Sequence, residues 1–142
     1  MSRIYRKTKE TEISVELFFD GKGEYSIDTG VGFFNHMLES LSKHSGIDMQ
    51  ISCKGDLHVD FHHTVEDVGI ALGEAFYKAV FPVGAIERFG EAKIVMDEAL
   101  VESAVDISGR PFLYFDLGLL SGKLGGFDAE LAGEFFRDFL YN

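Results

Sequence analysis

Alternating apolar and polar positions near the amino terminus predict strands. Apolar residues alternate with polar ones from Ile13 to Leu17, and again at Tyr25 and Ile27 after a glycine-containing turn. Alternation on both sides of a short turn is typical of paired antiparallel strands. The pattern therefore predicts a β-hairpin over residues 10–29.

Helical spacing then replaces the alternation and predicts a first helix, which Gly46 ends. The predicted core face of this helix consists of Phe34, Met37, Leu38 and Leu41. A polar stripe at i, i+4 and i+8 lies on another face and consists of His36, Ser40 and His44.

A further strand and a long second helix follow. Apolar positions alternate from Ile47 to Ile51, and after Gly55 the chain reaches His62, which begins a helical pattern that stops before Pro82. The predicted core stripe of this helix consists of Val65, Val68, Leu72, Ala75, Phe76 and Ala79.

The order strand, strand, helix, strand, helix then begins again. Residues 91–97 and 100–117 predict two strands, and a helix from Asp128 carries the apolar residues Leu131, Phe135, Phe136, Phe139 and Leu140. We interpret the fold as α/β (α+β), with tandem-duplicated β-β-α-β-α half-domains whose sheets pack against helices. The first half is 1–90, and 91–142 is an incomplete second half (ββα) of one compact domain. The alternative is a chance echo, since strands and helices alternate in many folds.

Composition indicates a globular protein with one core. The chain has 142 residues, 46% hydrophobic content and 14 Phe, and no apolar run is long enough to span a membrane. The amino terminus lacks a signal-type apolar stretch, so we expect a cytoplasmic protein. A lone Cys53 predicts a reduced, partly buried thiol.

The net charge of −11 bears on partners. Nucleic acids and anionic membranes both require a positive face, so we expect neither as a partner. The excess of acidic residues is compatible with binding of divalent cations. Most of these residues are explained equally well as part of a solvated surface. Composition alone therefore leaves the acidic residues unassigned.

The densest candidate chemistry is the segment from His62 to Asp67, which contains two histidines and two acids. On a helix His62 shares a face with Glu66, and His63 shares one with Asp67, while the two imidazoles diverge. One ion cannot easily take both rings, but two ions could each take one. Imidazole with carboxylate suits manganese, zinc or iron.

The alternative is that these histidines do not bind a metal. A single histidine near a helix start is more often a cap or surface residue than a metal ligand. The acids at helical spacing and three further histidines upstream, His36, His44 and His58, favour a metal site over that alternative.

At these residues the sequence resembles the imidazoleglycerol-phosphate dehydratases, which remove water from an imidazole-bearing glycerol phosphate in histidine biosynthesis. The resemblance runs nearly end to end and rests on motifs in the family order. These are Arg6–Thr11, Thr29–Leu38, Asp60–Asp67, Arg88–Gly90, Met96–Ala99 and Asp106–Pro111.

The resemblance implies a lyase with two manganese ions per complete site, for which zinc or iron are possible substitutes. It also implies a homo-oligomer, a 24-subunit shell with active sites between subunits, and a phosphorylated imidazole as the small-molecule substrate. The implied metal ligands are His36, His62, His63 and Glu66. The implied substrate-binding residues are Glu10, His36, His44, His62, Glu66, Arg88 and Arg110.

Two departures from the family pattern stand out. Phe61 occupies a position before the histidine pair that is usually acidic, which removes one possible acceptor for an imidazole N–H. The family's second His-His-x-x-Glu motif and its Ser/Lys phosphate-contacting tail do not occur in this sequence. We therefore expect a chain truncated within its second half, with half of each metal sphere, and oligomers or aggregates rather than a monomer.

The expected reaction converts D-erythro-imidazole glycerol phosphate to imidazole acetol phosphate. The proton to be removed is poorly acidic, so we expect the metal to act as a Lewis acid toward the substrate's imidazole. Glu10 and His44 are the expected catalytic residues for proton transfer. Arg88 and Arg110 suit the phosphate, although surface ion pairs explain them equally well from their chemistry alone.

Two other classes of function compete with this one. A catalytically impaired chain with partial metal sites would act only as a metal-binding or assembly subunit. A zinc hydrolase is a weaker alternative, because the His-Glu-x-x-His order is absent from the sequence.

Overall fold

A computed structural model describes residues 1–84, 86–118 and 121–142. Within these residues the structure has three helices, a four-stranded sheet and two hairpins. The elements in chain order are β1 (Ser2–Lys7), β2 (Thr11–Phe18), β3 (Tyr25–Asp28), α1 (Gly32–Ser45), β4 (Asp48–Gly55), α2 (His62–Val80), β5 (Phe89–Met96), β6 (Ala99–Asp106), β7 (Lys123–Leu124), β8 (Phe127–Asp128) and α3 (Leu131–Tyr141). The mixed α+β class is confirmed.

The four-stranded sheet has the order β1-β2-β4-β3. β4 is a central strand whose Met49, Ile51 and Cys53 are buried while the alternate residues are exposed. It pairs antiparallel with β2 and parallel with β3. The parallel pair requires a crossover, which α1 supplies.

The predicted hairpin over 10–29 is wrong. β2 pairs with β1 and β4, and β3 lies on the far side of β4. The turn after β2 is held by Asp48, whose Oδ1 accepts the N–H groups of Lys22 and Glu24 at 2.7 and 2.8 Å. The alternation signal identified both strands, but their pairing depends on β4, which comes later in the chain.

The amino-terminal strand β1 was not predicted. In β1 only Ser2 and Ile4 are buried, and they alternate with the exposed Arg3 and Tyr5. Its charged outward positions give the segment a polar composition, which hid the alternation. The first half therefore has three strands before α1 instead of two.

α2 is the central helix of the core. One side packs on β1, β2 and β4, and another packs on α3. Gly69 and Gly73 face α3, where a Cβ at either position would meet the backbone oxygen of Phe135 or Phe139. The absence of a side chain at these two glycines allows α3 to approach closely.

The predicted core stripes are mostly confirmed. Phe34 and Leu38 of α1 are buried, as are Val65, Val68, Leu72 and Ala75 of α2, and Cys53 is also buried. The prediction is wrong for Met37 and Leu41, whose side chains are 42% and 41% exposed. It is also wrong for Ala79, which is exposed. The sheet covers only a narrow strip of α1, which leaves the flanks of its apolar face in solvent.

The second half differs from prediction at its element ends. β6 stops at Asp106 rather than continuing to 117, and α3 begins at Leu131, three residues after the expected start. Gly109 has a φ of +70°, which breaks the extended chain after β6. Asp128 lies in β8 instead of opening the helix.

The β5–β6 hairpin is exposed along its whole length. Ile94, Val95 and Met96 are 66%, 68% and 73% exposed. On α3, Phe136 and Leu140 are also exposed, whereas Phe135 and Phe139 pack against the core. The described residues contain no helix that is both long and apolar enough to cross a membrane.

Candidate active site

The first turns of α2 lie at one edge of the four-stranded sheet. β3 and β4 run parallel, so their carboxyl ends meet at the same edge. α1 follows β3 there, and α2 follows β4. Gly30, just before α1, lies directly against the Leu57 side chain just before α2, so His36 and His62 are both carried near this edge, which we call the histidine edge.

The turn between β1 and β2 belongs to the same edge. Thr11 at the start of β2 is paired with Gly55 at the end of β4, and this turn carries Glu10. Glu10 is exposed. The elements that begin or turn at the histidine edge therefore carry Glu10, His36, His62, His63 and Glu66.

The two histidines of α2 have different partners. His62 Nε2 lies 3.5 Å from Glu66 Oε2, one helical turn on, as the spacing predicted. The two imidazole rings are 6.0 Å apart with an interplanar angle of 77°. Each ring has its own acidic partner, Glu66 for His62 and Asp56 for His63, and the expected divergence of the two imidazoles stays a prediction.

His63 bonds to an acid that the sequence did not single out. Its Nδ1 lies 2.9 Å from Asp56 Oδ2, and this hydrogen bond, with the charges of Asp60 and Glu10, raises the pKa of His63. The same bond lowers the pKa of Asp56. Asp56 therefore fixes the ring and leaves Nε2 for a ligand. Nothing in the sequence distinguishes Asp56 from the neighbouring Asp60.

Asp67 turns away from the expected His63 face and into the protein. It is 7% exposed, and Arg6 Nη1 lies 2.6 Å from its Oδ1. The Thr11 hydroxyl donates to its Oδ2. Asp67 thus joins α2 to the β1–β2 turn, a contact that helical spacing alone could not reveal.

Other polar groups complete the edge. Asp60 Oδ1 accepts the N–H of His62 at 2.8 Å, which forms a side-chain turn just before α2. Phe61 packs against the core, so its side chain is used for packing where the family usually has an acid. Burial raises the pKa of Asp138 on α3, and the nearby charge of Glu66 adds to this shift.

His44 and the two arginines lie away from the histidine edge. His44 is about 12 Å from His36 along the α1 axis, since the rise is about 1.5 Å per residue. A Cβ on Gly109, next to Arg110, would lie 3.2 Å from the Phe81 ring at the far end of α2. α2 has 19 residues, so about 28 Å of helix separates that end from His62.

The arginine end has its own ion pair. Arg88 donates to both oxygens of Asp106, with Nε–Oδ1 and Nη2–Oδ2 distances of 2.7 and 3.2 Å. This bond raises the pKa of Arg88 and lowers the pKa of Asp106. Arg110 is exposed beside the pair. One chain therefore does not bring its arginines to its own histidines.

The donor types at the histidine edge fit a divalent metal, but one chain does not close a site. His62 Nε2 and Glu66 Oε2 are near enough for one ion to bridge them at ordinary ligand distances. No group of three or more His, Cys, Asp or Glu side chains that could hold an ion occurs within the described ranges. A metal held by this pair would need further donors.

Comparison with known proteins gives a consistent result. The family model for imidazoleglycerol-phosphate dehydratase matches residues 29–142. The chain is 61% identical over 142 residues to the imidazoleglycerol-phosphate dehydratase of Nitratiruptor sp., covering all of this chain and 74% of that protein. It is 60% identical over 137 residues to that of Aliarcobacter butzleri, covering 96% and 72%.

Solved structures agree with the sequence matches. The imidazoleglycerol-phosphate dehydratase of Staphylococcus aureus superposes with a TM-score of 0.83 at 39% identity, covering 98% of this chain and 76% of that one. The Pyrococcus furiosus structure, a complex with (S)-C348, gives a TM-score of 0.79 at 37% identity, covering 96% and 72%. The resemblance found in the sequence is confirmed, and the chain belongs to the imidazoleglycerol-phosphate dehydratase family, the hydro-lyases of histidine biosynthesis.

Proposed function

We propose that the chain dehydrates D-erythro-imidazole glycerol phosphate to imidazole acetol phosphate with a divalent metal bound at the histidine edge. The observation that carries the proposal is the pairing of His62 with Glu66 beside a His63 whose Nδ1 is already bound by Asp56. A ring held through Nδ1 offers Nε2 to a metal, as in other metal sites where a carboxylate orients the histidine.

His36, His62, His63 and Glu66 are the proposed metal ligands. Imidazole and carboxylate donors suit manganese, zinc or iron, and from the family resemblance we propose two manganese ions per complete site, with zinc or iron as possible substitutes. When bound, the metal supplies Lewis-acid stabilisation of negative charge on the substrate's imidazole.

The proton transfers belong to this chain's own side chains. Glu10 is the proposed proton acceptor, and its exposure on the β1–β2 turn at the histidine edge supports this role. His44 is proposed as the second proton-transfer residue and as a substrate contact. It lies near the other end of α1, so it would serve a site formed by a different copy.

Arg88 and Arg110 are proposed to bind the phosphate. A guanidinium offers two parallel charge-assisted hydrogen bonds, and Arg88 already uses this geometry on Asp106. The length of α2 separates these arginines from the histidines of the same chain. This separation supports sites shared between subunits of a homo-oligomer, for which we propose the 24-subunit shell.

A second candidate function is a metal-binding or assembly subunit without turnover. The observation that favours it is that the described part of the chain groups no three potential ligands. Two donors hold a metal such as manganese weakly, because it lies at the weak end of the divalent series. The two candidates differ in whether turnover accompanies metal binding.

The test is dehydration of imidazole glycerol phosphate by the purified chain, with manganese added and with a chelator. His62→Gln should abolish chelator-sensitive turnover, whereas His58→Gln, a matched change at an exposed histidine four residues before the start of α2, should leave it intact. Manganese binding without turnover favours the assembly subunit. The absence of both manganese binding and turnover would contradict both candidates. Light scattering of the same samples reports the oligomeric state.

A further inference from the structure

A buried carboxylate connects α2 to the turn that carries Glu10. Asp67 is 7% exposed, and it contacts three side chains, from β1, the following turn and the start of β2. Arg6 Nη1 lies 2.6 Å from Oδ1, while Oδ2 accepts hydrogen bonds from the Thr11 hydroxyl and, at 3.4 Å, from the Thr8 hydroxyl. One carboxylate thus fixes both sides of the turn.

The Thr8 oxygen extends this connection to Glu10. It accepts the backbone N–H of Glu10 at 3.1 Å and that of Thr11 at 3.0 Å. The Thr8 N–H also donates to the Thr11 carbonyl at 2.9 Å. The backbone of Glu10 is therefore two hydrogen bonds away from Asp67, through a single hydroxyl.

Glu10 lies near His63, one helical turn before Asp67 on α2. Asp67 is one helical turn after His63, so the bonds that hold the Glu10 turn begin next to the histidine pair. The Glu10 charge is near enough to His63 to contribute, after Asp56 and Asp60, to the raised pKa of that histidine. The backbone position of the turn then determines how Glu10 faces the imidazole.

We propose that Asp67 is a positioning residue, which holds the β1–β2 turn so that the Glu10 carboxylate stands opposite the His63 end of α2. Asp67 does not touch the substrate itself. The inference rests on the proposed function, in which Glu10 transfers a proton. A misplacement of about 1 Å in a reacting group can reduce a rate by about a hundredfold, so the anchor of the turn matters for turnover.

The test compares Thr11→Val, which removes the hydroxyl but keeps the shape, with Thr11→Ser, which keeps the hydroxyl. Asp67→Asn is the direct variant. Asp48→Asn is the matched control, because Asp48 also holds a turn through two hydrogen bonds, but at the other end of β4. The measurements on the full chain are amide hydrogen exchange at Glu10, and kcat and KM in the presence of manganese.

Thr11→Val and Asp67→Asn should accelerate exchange of the Glu10 amide by about tenfold or more. They should lower kcat by about tenfold to a hundredfold with little change in KM. Thr11→Ser should restore both values. Asp48→Asn should lower stability without changing Glu10 exchange or kcat.

Unchanged Glu10 exchange in both Thr11→Val and Asp67→Asn would overturn the proposal. Equal losses of kcat in Thr11→Val, Thr11→Ser and Asp48→Asn would also overturn it, because they would reflect stability alone. If the unmodified chain shows no turnover, the proposed function fails, and Glu10 exchange still decides whether Asp67 positions the turn.

Discussion

His63 Nδ1 lies 2.9 Å from Asp56 Oδ2, and this contact couples the loop after β4 to the start of α2. A carboxylate on one ring nitrogen selects the tautomer and aims the other nitrogen outward. The pair therefore prepares His63 for a ligand without using the acids of α2 itself.

Removal of this acceptor should weaken metal binding. We expect Asp56→Ala to reduce manganese affinity by about 10–100-fold, the usual effect of losing an acid that orients a metal-bound histidine. Asp20→Ala, at an exposed turn residue, should have no effect. Titration calorimetry measures the affinity, and nitrogen NMR of the His63 ring should show a mixture of tautomers in Asp56→Ala. Equal affinities for the two variants would contradict the orienting role.

The phosphate assignment predicts a selective effect at Arg110. Loss of a charge-assisted hydrogen bond costs about 1.5–3 kcal/mol, so Arg110→Ala should raise KM about tenfold or more. Arg3→Ala is the control, since Arg3 forms an exposed ion pair with Glu16 on β1 and β2. Steady-state kinetics decide the matter, and an unchanged KM in Arg110→Ala would count against phosphate binding.

Cys53 should react slowly with thiol reagents in the folded protein. Burial raises its pKa to about 11, so very little thiolate exists at pH 8, whereas an unfolded cysteine has a pKa of about 8.5. Iodoacetamide labelling followed by mass spectrometry should be at least about tenfold faster in denaturant than in buffer. Equal labelling rates would show that Cys53 is accessible in the native state.

Asp48 should make stability depend on acid pH. The N–H groups of Glu24 and Lys22 lower its pKa, so its contribution is present above the unfolded pKa, about 3.9, and is lost as the pH falls through the lower folded value. Urea midpoints of the unmodified chain and Asp48→Asn should differ at pH 7 and converge as the pH falls below the lowered folded pKa of Asp48. A gap that persists at low pH would refute the titration of Asp48 as its cause.

The contact between α2 and α3 predicts that Gly73 tolerates no side chain. Gly73→Ala gains up to about 1 kcal/mol of helix propensity, but its Cβ would meet the Phe139 backbone, and such overpacking costs about 1–3 kcal/mol. The net result should be a loss of stability in urea unfolding. Gly90→Ala, where a Cβ meets open space, should change stability by less than about 0.5 kcal/mol. A stabilised Gly73→Ala would contradict the close approach.

Local patterns predicted α1, β4 and α2 well. Apolar spacing, a terminal glycine and a following proline are all properties of short segments, and Gly46 ends α1 with a left-handed φ of +75°. The predicted pairing of β3 with β2 was wrong because the true partner, β4, follows a whole helix later in the chain. The spacing of residues within β2 and β3 does not indicate which strand each one pairs with.

In the candidate site too, the sequence predicted the local contacts but not those that depend on tertiary packing. The approach of His62 to Glu66 follows from helical periodicity, so the sequence was sufficient. The partners of His63 and Asp67 come from a loop and from β1, and their positions depend on tertiary packing. The separation of the arginines from the histidines likewise depends on where the chain leaves α2.

The β5–β6 hairpin gives one part of the chain a much lower free energy of local unfolding than the rest. A two-stranded hairpin without a covering layer is marginally stable in water, and both strands here are exposed from end to end. Local opening of this arm therefore costs far less free energy than unfolding the sheet and α2. We therefore expect a protease to cut this arm before it cuts the four-stranded sheet or α2, which leaves the histidine edge folded.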